Sequence, residues 1–183
     1  AAPKHFVADG EPIAGLNGAP FDTSLRALHE VHLPPFKAAI EEARAGSIMP
    51  AHHSLNGIPC HANTFLMIDI LRHSYGFSGL VVSDNNDIFN LMNFMRVART
   101  WTEAARLALE TGIDTELAWE RSWDNGRAYG ARLVTAVKEG DIPAALLDQA
   151  VRNVLRAKFE LGLFDNGKEI PKWQDFEYSG DKG

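Results

Sequence analysis

The sequence has 183 residues, 45% hydrophobic and 23% charged, with a formal net charge of −6. This globular composition supplies one sizeable core and not obviously two. It argues against a nucleic-acid partner, because phosphate recognition wants clustered Lys and Arg and no basic stripe occurs; no apolar run approaches the roughly 20 residues that span a bilayer.

Cys60 is the one cysteine, so an internal disulfide framework is excluded and the redox compartment stays undecided. The opening Ala1-Ala2-Pro3-Lys4-His5-Phe6 lacks the charged and apolar regions of a signal peptide. Its strand-like character suggests that the chain begins within a domain.

In chain order, Ser24 is placed to N-cap a helix from Leu25 to about Ala45, bent or split at Pro34-Pro35 and ended by Gly46. Ser47 to Ala51 is a short apolar run of strand length. The loop Ala51-His52-His53-Ser54-Leu55-Asn56-Gly57-Ile58-Pro59 is rich in turn formers. Asn63 then caps a helix carrying Phe65, Leu66, Ile68, Ile70 and Leu71, closed by Gly76.

Gly79-Leu80-Val81-Val82-Ser83 is the clearest strand. Its consecutive apolar positions fit a parallel sheet with both faces covered. A helix-rich stretch from about Asp87 to Thr111 follows, and Gly112 precedes a short strand, Ile113 to Leu117. Two helices complete the pattern, from about Gly126 to Glu139 and from Asp141-Ile142-Pro143 to Leu163. Pro143 suits a first helical turn, and Leu147, Ala150, Val151, Val154, Leu155 and Phe159 form an apolar stripe. The segment 166–183 is polar and reads as a tail or linker, leaving 1–165 as the domain.

The alternation of strands and helices predicts an α/β fold of right-handed βαβ units around parallel strands. A complete eight-fold barrel takes roughly 250 residues. Four legible strands therefore predict half a barrel or a small open sheet.

Functional groups of such folds collect at the C-terminal ends of the strands. Ser83 and Asp84 end the strongest strand, so the Asp84 carboxylate is placed to act as nucleophile, base or metal ligand, or simply to cap the next helix.

Tyr75-Gly76-Phe77-Ser78-Gly79-Leu80-Val81-Val82-Ser83-Asp84 resembles the G-F-x-G-x-V-x-S-D signature of glycoside hydrolase family three. Lys4-His5-Phe6 is similar to its K-H-F strand end, Leu33-Pro34-Pro35-Phe36-Lys37-Ala38-Ala39 to its L-P-P-F-K-A-A helix, and Leu55-Asn56-Gly57-Ile58-Pro59-Cys60 to its N-G-x-P-C loop. Leu155-Arg156-Ala157-Lys158-Phe159-Glu160-Leu161-Gly162-Leu163-Phe164 resembles the helix that closes its barrel. Together, and in this order, the matches identify the chain as resembling the C-terminal half of that family's catalytic (β/α)8 barrel.

The resemblance implies a retaining exo-β-glycosidase of the β-glucosidase or β-xylosidase type, with Asp84 as nucleophile and no cofactor or metal. It implies that Lys4 and His5 hold sugar hydroxyls, with His52 and Asn85 as further substrate contacts. The implied partners are a glycoside or oligosaccharide and the remainder of the same enzyme, namely the other half-barrel and a domain bearing the general acid. Nucleic acid and membrane are not among them. A periplasmic or secreted setting is favoured by the resemblance alone. A β-N-acetylhexosaminidase of the same family is the rival enzyme, although Val7-Ala8-Asp9-Gly10 lacks its histidine donor. A non-catalytic carbohydrate-binding barrel fragment is the rival from another class.

Two positions depart from relatives: His52-His53 stand where a tyrosine and an asparagine are common, and Asn85 where an aromatic stacks on the sugar. A more polar site mouth is expected. Asp87 lies past the strand end and reads as a helix cap. Glu116 and Trp119 follow the last strand and read as structural. His52, His53, Cys60 and His61 match no zinc spacing, and the Met and Phe residues of 89–95 read as core.

Overall fold

The computed structural model describes residues 1–118 and 127–165. Four extended segments run parallel and in sequence order. Phe6 bridges Pro50 beside strand β1 (Ser47–Ile48), and β1 pairs with strand β4 (Leu80–Val81) through Ser47 opposite Leu80 and Ile48 opposite Val81. Val82 in turn bridges Thr115. Helices connect each segment to the next, as a parallel order requires. Among the described residues the array is open and does not close into a barrel. Each ladder is far shorter than the apolar runs that the sequence shows.

Helix boundaries follow the sequence signals, with instructive differences. Ser24 caps its helix by accepting from Ala27 N at 3.1 Å. The expected helix to Ala45 is divided, however, into Leu25–Ala27, a π-wound turn Leu28–His32, and Pro34–Glu41. Two consecutive prolines remove two backbone donors, and Leu33 N reaches back five residues to Leu28 O at 2.9 Å instead. The Phe65–Ser74 helix is also π-wound, and Asn63 Oδ1 caps it at Leu66 N, 3.1 Å. The stretch from Asp87 resolves into two helices, Asp87–Asn93 and Trp101–Glu110.

The loop after β1 contains an unexpected antiparallel hairpin of β2 (Ser54–Leu55) and β3 (Ile58–Pro59). Its two turn residues both have positive φ, 50° at Asn56 and 82° at Gly57, the pair of values that a tight I′ turn requires. Asn56 also accepts from Thr23 N at 2.7 Å, tying the hairpin to the segment before the first helix.

The last two helices span Ala131–Glu139 and Ala144–Glu160. Pro143 sits just before the second of these rather than inside its first turn. The expected apolar stripe does not pack as a whole. Ala150 is buried, while Val151, Leu155 and Phe159 are 45%, 43% and 67% exposed. An open array offers that face no covering element among the described residues. An apolar groove of about 520 Å³ runs there, lined by Leu133, Val134, Leu147, Val151, Val154 and Leu155. It holds none of the candidate site residues.

A buried polar clamp sets the start of β4. Asp114 Oδ2 accepts from Val81 N at 2.8 Å and from Arg72 Nη2 at 3.0 Å, and its Oδ1 accepts from Asn153 at 2.8 Å. Arg72 also donates to the carbonyls of Phe77 and Gly79. Burial pushes the Asp114 carboxyl up, against its hydrogen bonds, and draws the Arg72 guanidinium down.

Removing one partner leaves the other charge buried and unpaired, so Asp114→Ala is expected to destabilise the fold by about 3–5 kcal/mol, read as a lowered denaturation midpoint. Gly79 is a second sensitive point, because a Cβ there would lie 2.5 Å from Gly46 O and 2.7 Å from the Phe77 ring. Gly79→Ala should separate β4 from the segment entering β1 and cost about 1–3 kcal/mol, measured in the same way.

Candidate active site

The chain leaves β4 through two anchored residues. Ser83 N donates to Thr115 O at 2.9 Å, and Ser83 Oγ accepts from Leu117 N at 2.8 Å. Asp84 N then donates to Nε2 of His61 at 2.9 Å. His61 lies in the short turn Cys60–Ala62 that follows the hairpin. A ring nitrogen that accepts carries no proton, so His61 is neutral with its proton on Nδ1. That nitrogen faces Asp87 Oδ2 at 3.3 Å. Burial, the largest influence, holds the His61 pKa below its ordinary value.

Asp84 is 6% exposed. Its Oδ1 accepts from Asn85 N at 2.6 Å. Its Oδ2 stands 3.2 Å from His5 Nε2 and 3.2 Å from His52 Nε2. Neither approach has hydrogen-bond geometry, and Oδ2 has no hydrogen-bond partner among the described residues. These are ion contacts whose strength depends on imidazole protonation.

Each histidine is held from behind by a second carboxylate: His5 Nδ1 by Asp9 Oδ2 at 2.6 Å, and His52 Nδ1 by Asp87 Oδ2 at 2.8 Å. The two rings tilt 31° with centroids 6.0 Å apart. The hydrogen bond to Asp87 raises the His52 pKa, with the charges of Asp87, Asp84 and Asp9 adding to it and burial opposing it.

The sequence-predicted residues fare unequally. His5, His52, Asp84 and Asn85 are brought together. Lys4 is exposed and makes no hydrogen bond or ion pair among the described residues. Asn85 contributes its backbone N–H, while its buried Oδ1 has no partner among the described residues. His53 does not add polarity to the mouth: it is 1% exposed, with its ring nitrogens 3.0 Å from Val7 O and Ser54 O.

Asp87 is the first residue of its helix rather than the cap, and its carboxylate serves His52, His61 and the Asn90 amide, which donates at 2.9 Å. Glu116 is structural, accepting from Ala128 N at 3.1 Å and Tyr129 N at 2.7 Å. Trp119 lies outside the described residues, as do the start of the helix placed at Gly126 and the segment from Asn166. No group of three or more His, Cys, Asp or Glu with metal-holding geometry occurs among the described residues. Burial pushes the Cys60 thiol up to about 12, so it is not a ready thiolate.

Sequence reasoning missed the roles of His61 and Asp9. His61 belongs to a histidine-rich stretch that reads as failed zinc spacing. Asp9 follows His5 by four residues, and only folding shows that the two meet.

The profile described as glycosyl hydrolase family 3 N terminal domain matches residues 1–157. A β-xylosidase of Formosa agariphila is 44% identical over 90% of this chain and 23% of its own length. A periplasmic β-glucosidase of Salmonella typhimurium is 36% identical over 89% of this chain and 20% of its own. The solved β-glucosidase EmGH1 from Erythrobacter marinus superposes with a TM-score of 0.83 at 38% identity, over 90% of this chain and 21% of that one. The chain thus spans about a fifth of the length of the relatives it matches. A profile match over most of the sequence, carried by a structure whose parallel strands and intervening helices form part of a barrel-like fold, places the chain in glycosyl hydrolase family 3.

Proposed function

We propose that the chain supplies the nucleophile side of a retaining exo-β-glycosidase acting on terminal β-linked glucosyl or xylosyl residues. The observation that carries the reading is the Asp84 carboxylate, held at the end of β4 with one oxygen bonded to its own turn and the other between two imidazoles. A carboxylate fixed in direction and flanked by potential cations suits attack on an anomeric carbon that develops positive charge.

Asp84 attacks that carbon to form a glycosyl ester, while a proton donor about 5–5.5 Å away protonates the departing oxygen. Water, activated by the same donor group, then releases the sugar. The donor belongs to another part of the whole protein, as the resemblance implies for a later domain. No cofactor is called for. Lys4, His5, His52 and Asn85 contact sugar hydroxyls in this reading. Asn85 Oδ1 in particular is a buried acceptor without a donor, and a hydroxyl would supply one. The β-glucosidase from Listeria innocua has been crystallised with laminaribiose and with glucose, which agrees with a small β-glucoside as the substrate class.

In this reading residues 1–165 are the second half of a (β/α)8 barrel, and 166–183 lead away from it. The exposed Val151, Leu155 and Phe159 face then packs on the preceding half-barrel. Residues 1–183 alone are expected to associate in solution and to show little or no turnover, checked by light scattering and a chromogenic glycoside assay. In the full-length enzyme, a 2-deoxy-2-fluoro glycoside should label Asp84 in peptide mapping. Asp84→Asn should lower kcat by about 10³-fold or more with the thermal midpoint retained. Label on another residue, or an active Asp84→Asn enzyme, would overturn the proposal.

A further inference from the structure

We infer that His52, gripped by Asp87, is a cationic positioning residue that fixes the orientation and electrostatic surroundings of the Asp84 carboxylate. The inference rests on Asp84 being the nucleophile, and it moves His52 from sugar contact to control of that nucleophile. His52 lies between two carboxylates, Nδ1 at 2.8 Å from Asp87 Oδ2 and Nε2 at 3.2 Å from Asp84 Oδ2. A carboxylate oxygen only accepts, so Nδ1 must carry a proton. In a neutral ring the electron-rich Nε2 would stand 3.2 Å from Asp84 Oδ2 and repel it. In the cation a positive ring edge stands there instead, an attraction that needs no hydrogen-bond alignment. The sandwich therefore favours the doubly protonated ring.

The support behind it is firm. Asp87 is 4% exposed and opens the Asp87–Asn93 helix, where the helix dipole favours a negative charge. Asn90 holds its other oxygen.

The groups facing His52 come from four elements: Asp84 at the end of β4, Asp87 on the following helix, His61 after the hairpin, and His5 with Asp9 from the N-terminal segment. Three carboxylates outnumber the rival cations there. The hydrogen bond to Asp87 raises the His52 pKa, so its charge persists through the ordinary imidazole range and is lost only as pH climbs past the raised value. Activity should fall on that alkaline side.

The test uses the full-length enzyme and a 2,4-dinitrophenyl β-glycoside, whose leaving group departs unprotonated, so that titration of the general acid drops out of kcat/KM. For the wild type, kcat/KM should stay level beyond pH ~6.5, the ordinary imidazole value, and then decline. Asp87→Asn should move that decline to lower pH by about one unit. His52→Gln should remove it and lower the plateau by about 10–100-fold, mainly in kcat. Persistence of the decline in His52→Gln would assign it to a group other than His52 and overturn the inference, as would an unmoved decline in folded Asp87→Asn. The wild type alone also decides, since no alkaline decline on this substrate sinks the idea even if both variants misfold. Fluoroglycoside labelling of the same preparations separates the two proposals. Label on Asp84 with unmoved profiles removes only the role of His52, whereas label elsewhere removes both.

Discussion

The hydrogen bond from the Asp84 backbone to Nε2 of His61 is the constraint on which the rest of the site depends. A strand end would ordinarily leave that N–H to water or to the next helix turn. Here a buried neutral imidazole takes it, and three consequences follow. The main chain from which the Asp84 side chain departs is held in place. The proton of His61 is forced onto Nδ1, toward Asp87. Asp87 is thereby drawn inward, where it can hold His52 against Asp84. One bond of ordinary strength organises two carboxylates and two imidazoles, because each link leaves the next group only one satisfied arrangement.

Charge balance explains why this cluster tolerates burial. Asp84 and Asp87 are 6% and 4% exposed, and two carboxylates at such depth are costly unless opposed. His61 cannot oppose them, since its accepted bond keeps it neutral. His52 and His5 are the groups placed to do so, each about a quarter exposed at the side chain and each backed by its own acid. Partial exposure matters here, because it lowers the cost of a charged ring while leaving the ring close enough to act on the Asp84 carboxylate.

Much of this architecture was legible in the sequence, and the limits of that legibility are physical. The parallel segments could be read because burial on both faces demands uninterrupted apolar runs, which Leu80-Val81-Val82 displays. Asp84 could be read from its place at a strand end. The hairpin was missed although Asn56-Gly57 announces it, because its strands are two residues long and show no alternation. The π-wound turn before Pro34-Pro35 and the exposed Val151-Leu155-Phe159 face could not be read, since periodicity reports amphipathicity and not whether a partner covers the face. His61 was hidden for a related reason. A histidine acting through a lone pair on a distant backbone N–H has no local pattern.

The two ends of β4 divide stability from chemistry. At its start, the Arg72–Asp114–Asn153 clamp satisfies Val81 N and the carbonyls of Phe77 and Gly79. Both Asp114 oxygens and both terminal Arg72 nitrogens are committed to protein there, which suits a group whose task is to fix register. At its far end, Asp84 Oδ2 and Asn85 Oδ1 are buried without hydrogen-bond partners among the described residues. Unmet acceptors cost stability, and a short strand carries them only if it is held firmly elsewhere. The clamp and the tight Gly79–Gly46 approach provide that hold. Loosening the clamp should therefore disturb the Asp84 end as well, because the strand joining them is too short to absorb a shift.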